Sequence, residues 1–417
     1  MVTIRGGAVA CFALSACFLL ASARGQEAPP EPSASQATTT AGDESWIDVV
    51  WPGQETPEGD YLRIGGLFSG EAINWDKGND KNDGLETEAL SLLFSGRVGE
   101  ADFFVDVDLD GEDTRHNLRE AWMEVPVGAE HWLRAGWLRV ALASEFATRE
   151  EDLPSVGYGF TSWMNGRFGP GVAVDGYALP WMWWQATVTA GYDTDLAGNQ
   201  LDEPQGSLRL LATPVREPDG SFEGLFGGVA MSLTTDLDGP VHVETPFDQT
   251  EFATDDLHGD SRRFFSGELG YRRGGFRAGA ELTNGEVSGV DLPTGPDQDY
   301  DEIGRYSFWA SWNVRGPVPV WSRGRWLPYD LGPRDELPLE FALRYSNADI
   351  DRDFFTDGLA TFGPSVNEAR TITATVSMYL QPTTRVAVSL VDTVSDQVSS
   401  HWGESDVSYL LRLDQRF

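Results

Sequence analysis

The chain has 417 residues, 66 acidic against 30 basic, and a formal net charge of −36. So acidic a chain should repel nucleic acid and anionic lipid surfaces, and nucleic acid is not expected as a partner. Its two cysteines, Cys11 and Cys17, both lie in the first 25 residues, so the chain after that point has no disulfide or thiol chemistry.

Residues 1–25 read as a secretory signal peptide. Arg5 is the positive start, Ala8 to Ala21 the apolar run, and small residues around "ASARG" the end. "LSAC" at Cys17 looks like a lipoprotein cleavage box, but the apolar run continues past it, which favours ordinary cleavage. Removal of this segment leaves 28 basic and 66 acidic residues, a net charge of −38. Residues 26–45 are rich in Pro, Ala, Ser and Thr and read as a disordered linker. Residues 46–417 are uniform in composition and read as one domain. No later window of about eighteen apolar residues exists, so helical spans are not expected; strands that cross a bilayer need only about ten alternating residues.

From Tyr61 onward the pattern is strand after strand. Sixteen are predicted: 61–73, 86–98, 101–109, 117–126, 131–139, 170–178, 181–191, 206–213, 223–235, 263–272, 276–284, 305–314, 338–348, 370–380, 384–393 and 407–417. "RTITATVSMYL" sets Ile372, Ala374, Val376, Met378 and Leu380 against Thr371, Thr373, Thr375 and Ser377. "LEFALRYSNA" sets Leu339, Phe341, Leu343 and Tyr345 against Glu340, Ala342, Arg344 and Ser346. In a soluble sandwich the apolar face is core; in a membrane barrel it meets lipid. Connection lengths favour the barrel, because long ones (74–85, 140–169, 236–262, 285–304, 349–369, 394–406) mostly alternate with short ones such as Gly99–Glu100, Leu179–Pro180 and "RGG" at 273–275. Outer-membrane barrels combine short periplasmic turns with long outer loops in this way. The connection 315–337 is long where a short turn is expected. The last strand, "SYLLRLDQRF", carries Tyr409, Leu411 and Leu413 on one face and ends on Phe417, an expected signal to the barrel-assembly machinery.

"DVDLDG", beginning at Asp106, has carboxylates at the first, third and fifth positions of a calcium-binding loop. The twelfth position is Asn117 rather than the bidentate Glu, and the stretch before it has the period of a strand. Neither a metal nor another cofactor is expected. The histidines His116, His131, His242, His258 and His401 are scattered, and no nucleophile-and-base or H-E-x-x-H motif appears, so no enzyme is expected.

Several stretches together carry a family resemblance. They are "LREAWMEVPVGAEHWLRAGWLRVALASEF" (118–146), "NGRFGPGVAVDGYALPWMWWQATVTAGY", "YSFWASWNVRGPVPVWSRGRWLP" and "LEFALRYSNADI". In this order the chain resembles, over roughly residues 60–417, the phosphate-selective porins O and P of Gram-negative outer membranes. The resemblance implies a sixteen-stranded antiparallel barrel in outer-membrane lipid, assembled as a homotrimer. It would pass small hydrophilic solutes or ions, anions such as phosphate among them, by passive diffusion. It also accounts for the long connection 315–337, and implies that the loop 140–169 folds inward, with Glu145, Arg149, Glu150, Glu151, Asp152 and Arg167 setting the field at a constriction.

Anion passage calls for inward Arg or Lys. Lysine is limited to Lys77 and Lys81. Arg209, Arg277, Arg305, Arg344, Arg385 and Arg412 fall on the polar face of predicted strands and are the pore-lining candidates. Inward acids such as Glu281, Glu340 and Asp414 offer the alternative, in which ion pairs stiffen the wall. The acidic outer loops would instead favour cations at low salt, or hold divalent cations. A non-transporting anchor or adhesin barrel, and a secreted lectin-like sandwich, are the remaining readings.

Overall fold

A computed structural model describes residues 61–75, 84–109, 118–161, 166–190, 204–213, 224–239, 242–244, 250–253, 257–292, 297–315, 319, 321–327, 337–360, 368–381, 383–396 and 405–416. The signal and linker segments, Lys77, Lys81, Asp110, Phe417 and much of the acidic loop sequence lie outside these residues.

Sixteen antiparallel strands close into one barrel. They are β1 (Tyr61–Trp75), β2 (Gly84–Val98), β3 (Ala101–Asp108), β4 (Leu118–Pro126), β5 (His131–Ala141), β6 (Gly166–Leu179), β7 (Met182–Thr189), β8 (Gln205–Ala212) and β9 (Gly224–Gly239), then β12 (Leu257–Arg273), β13 (Phe276–Val290), β14 (Gln298–Arg315), β17 (Leu339–Ile350), β18 (Glu368–Gln381), β19 (Thr384–Asp396) and β20 (Ser405–Arg416). Leu67 pairs with Arg416 and Trp75 with Ser408, which joins β1 to β20 and leaves no open edge. Two small hairpins form separate two-stranded sheets that are not part of the barrel sheet: β10 (His242–Glu244) with β11 (Thr250–Ala253), and β15 (Trp321–Ser322) with β16 (Arg325–Trp326).

Each predicted strand has its counterpart among these sixteen. The largest differences are on one side. The strands β12, β13 and β14 run several residues further than alternation alone suggests, and β6 begins at Gly166, so Arg167 lies on that strand, paired with Val140, rather than in the loop.

The side-chain distribution is the reverse of a soluble protein's. Leu343 is 56% exposed, and Phe265, Leu282, Phe308, Trp312, Val388 and Leu411 are similarly open on the outer face. The alternate positions Ser346, Thr373, Ser377, Ser389 and Ser408 are buried and point inward. On β14 the outward series Tyr306, Phe308, Ala310, Trp312, Val314 covers eight residue steps, about 27 Å of strand and about 20 Å of height at the usual tilt, close to the apolar band of an outer-membrane barrel. No helix among the described residues is long and apolar enough to cross a membrane, which says nothing of strands.

Gly136 shows how closely the wall is packed. Its φ is 137°, and a Cβ there would lie 2.1 Å from the Ala121 carbonyl oxygen on β4. Gly136→Val is expected to break the β4–β5 ladder, with about 1–3 kcal/mol of backbone strain added to the clash. The folded, heat-modifiable band on a gel should be lost. Gly84→Ala, where a Cβ meets nothing within 4 Å, should leave that band intact.

Candidate functional site

The barrel interior is occupied by two inward-folded segments that arrive from opposite ends. The first is the connection between β5 and β6. After Ala141 it forms a short helix, Ser144–Ala147, and a single 3-10 turn, Glu150–Asp152, and it is described as far as Thr161.

Wall groups grip this loop along its length. The Ser144 hydroxyl and the Glu145 amide donate to one Glu281 carboxylate oxygen at 2.9 and 2.7 Å. The Glu145 carboxylate accepts from the Gly159 amide at 2.8 Å and from Arg344 at 3.0 Å. Arg344 also donates to the carbonyls of Gly157 and Val156, at 2.5 and 3.2 Å. Arg305 donates to the Phe160 carbonyl at 2.8 Å and Arg385 to that of Glu151 at 3.0 Å. Arg149 pairs with Asp106 of β3, Glu150 with Arg412 of β20, and Asp152 with Arg416 at 2.6 Å. Apolar contacts complete the fit. Val156 packs with Ile73, Ala387 and Leu410, and Phe160 enters a cluster with Phe264, Tyr300 and Phe354.

The loop's charges shape one another. Burial alone would raise the Glu151 carboxyl, but Arg149 and Arg416 hold it down to about 2. Asp152 beside it is raised, because burial and the Glu151 charge outweigh Arg416. Burial pushes the Tyr158 phenol up to about 12, against the pull of Arg139.

The second segment is the β15–β16 hairpin, from the long connection between β14 and β17. "WSRGRW" makes a two-residue turn at Arg323 and Gly324, with φ of 45° and 80°. Trp321 and Trp326 are buried against Trp183, Leu211, Phe226 and Trp309, with Phe226 stacked on Trp321 at 3.9 Å. Arg209, already bidentate to Glu268 at 2.7 and 2.9 Å, donates to the Gly324 carbonyl at 2.8 Å. The hairpin touches the loop directly, since the Trp326 amide donates to the Thr148 hydroxyl at 3.1 Å.

All six arginines expected as pore-lining point inward, yet they are only 0–4% exposed. Four of them, Arg305, Arg344, Arg385 and Arg412, hold the loop. Arg209 holds the hairpin. Arg277 pairs with Glu340 at 3.0 Å and lies under Trp326. Of the inward acids, Glu340 and Asp414 pair with wall arginines, whereas Glu281 receives the start of the loop helix. Of the constriction-loop set, Glu145, Arg149, Glu150, Glu151 and Asp152 come together inside the barrel; the Arg167 side chain lies outside the described residues.

One group of arginines that water reaches is made of different residues. Arg97, Arg119, Arg139, Arg149, Arg323 and Arg416 have side chains 11–34% exposed and gather on the side of β2–β6 and β20. Each is backed by an acid: Asp102, Asp108, Glu120, Asp106, Glu124 with Asp175, and Asp152. Asp106 and Asp108, the residues of the calcium-loop motif, are thus ion-pair partners, and no group of three or more potential metal ligands occurs among the described residues. Arg323 and Arg149 could not be assigned a place from strand parity, because both sit on inserted segments. Arg119 is offset by the register shift at Asp106 and Val107.

No protein-family model matches the chain, and no curated protein matches it by sequence. Solved structures do. The anion-selective porin from Comamonas acidovorans matches at 12% identity over 86% of this chain and 100% of its own, with a TM-score of 0.53. The outer membrane channel DcaP of Acinetobacter baumannii matches at 12% over 88% and 100%, TM-score 0.53. The trimer form of in-vitro folded OmpT, an outer membrane protein of Vibrio cholerae, matches at 13% over 86% and 100%, TM-score 0.52. The protein therefore has the closed sixteen-stranded barrel fold of outer-membrane porins.

Proposed function

We propose that the protein is an outer-membrane porin, a passive diffusion channel for small hydrophilic solutes or ions. The observation that carries this reading is the inverted barrel, with an apolar outer band and a polar, charged interior. The porin fold of the solved relatives supports it. In the same reading residues 1–25 are a cleaved signal peptide, 26–45 a linker, and 46–417 the channel domain, assembled through its last strand by the barrel-assembly machinery. A homotrimer fits the trimer form of the Vibrio cholerae relative.

The finer proposal is a preference for anions such as phosphate, as in the phosphate-selective porins O and P that the sequence resembles. Its support is the set of water-accessible arginines on the β2–β6 side, two of which, Arg149 and Arg323, come from the inward segments. The backing carboxylates keep the net field small, so the expected preference is modest. The reversal potential across a KCl gradient tests it: an anion-selective value is expected, and a cation-selective value would keep the porin and remove the anion. A second reading, a structural barrel that conducts nothing, draws on the sealed state of Arg209, Arg277, Arg305 and Arg344. It requires a folded protein without channel activity.

A further inference from the structure

We propose that Arg323, at the tip of the hairpin that rises from the short-turn end of the barrel, sets both the bore and the ion preference of the channel. The proposal rests on the channel reading above. Three features of the hairpin carry it.

The first is where the guanidinium reaches. It donates to both oxygens of Glu124 on β4, at 3.0 and 2.8 Å, and to Asp175 on β6 at 2.9 Å. It also lies 4.2 Å from the Trp132 ring centre on β5. One side chain thus ties the hairpin to three consecutive wall strands, on the side where the accessible charges gather. The far side of the hairpin is held by the tryptophan cluster and Arg209. Without Arg323 the hairpin keeps one flank and loses the other.

The second is charge. Glu124 and Asp175 are 5% and 1% exposed, while Arg323 is 12% exposed and is the most accessible of the three. Arg134 is the other cation paired with these two carboxylates, 2.6 Å from Glu124 and 3.9 Å from Asp175. Two arginines therefore meet two carboxylates. Loss of Arg323 uncovers a net negative charge on the inner wall, which acts on a passing ion.

The third is that the hairpin holds its position against opposing costs. Arg323 is a non-glycine residue at positive φ. Arg325, two residues on, is buried with Arg134 and Arg323 near it, and burial with these like charges holds it well below its ordinary value.

The test compares the full mature protein with Arg323→Ala, Arg323→Lys and Arg323→Gly in planar bilayers, each first shown to be folded by heat-modifiable migration. Arg323→Ala should raise single-channel conductance at least twofold and move the reversal potential toward cations. Arg323→Gly, which relieves the positive φ but also removes the charge, should shift the potential equally. Arg323→Lys should keep the wild-type potential while conductance rises, since a lysine cannot span two carboxylates as a guanidinium fork does. A conducting wild type with Arg323→Ala unchanged in both readouts would overturn the assignment and leave the channel standing. Silence in every folded variant would overturn both.

Discussion

Arg344→Ala should release the inward loop. Arg344 is fully buried and holds the loop at Glu145, Val156 and Gly157. Truncation removes these bonds and leaves Glu145 buried without its cation. Cutting one partner from a buried pair costs about 3–5 kcal/mol. That loss falls on loop docking rather than on the wall, because the backbone bonds of β17 to β14 and β18 do not involve the side chain. The variant is expected to keep its heat-modifiable band, to conduct several-fold more per channel, and to become sensitive to trypsin at Arg149, which the intact loop shields. An unchanged conductance with Arg149 still protected would mean that the loop is held without Arg344. Loss of the folded band would place Arg344 in the wall's own stability.

The second large effect concerns the opposite face of the same strand. Leu343 is the outward neighbour of Arg344, paired with Ala310 and Ala374 near the middle of the band. Leu343→Arg should destabilise the barrel in a bilayer by about 2–4 kcal/mol, the cost of an arginine on the lipid face at the midplane. Denaturant titration of the variant folded into lipid vesicles reads this directly. A soluble β-sandwich with Leu343 on a water-exposed face would tolerate the change. The pair of substitutions one residue apart therefore separates the lipid face from the interior face.

The wall was legible because its pattern is local. In β18 the apolar series Ile372, Ala374, Val376 and Met378 alternates with threonines and a serine, and period two is enough to place both the strand and its faces. The upper parts of β12 to β14 were less legible. In "LHGDSRR" polar residues occupy both parities, as expected where a strand rises beyond lipid, and the signal fades there. The start of β6 is hidden in the sequence because "GRFGP" carries glycine and proline, which mark turns in other settings.

The interior was legible only by half. Strand parity placed Arg209, Arg277, Arg305, Arg344, Arg385 and Arg412 inward. It could not tell that a loop and a hairpin would cover them, since their partners are far away in sequence: Glu145 lies 199 residues from Arg344, and Gly324 lies 115 from Arg209. The hairpin itself carried a local mark, the "WSRGRW" repeat around a glycine turn. Its direction is set by tertiary contacts with Trp183, Leu211, Phe226 and Trp309, which no short window contains.

The central claim is that this inverted barrel is a channel narrowed by two inward segments. Single-channel recording of the purified mature protein in a planar lipid bilayer tests it most directly. Discrete steps of small conductance are expected, because the loop and the hairpin share the interior. No steps from protein that is folded and heat-modifiable on a gel would contradict the claim and leave a structural barrel.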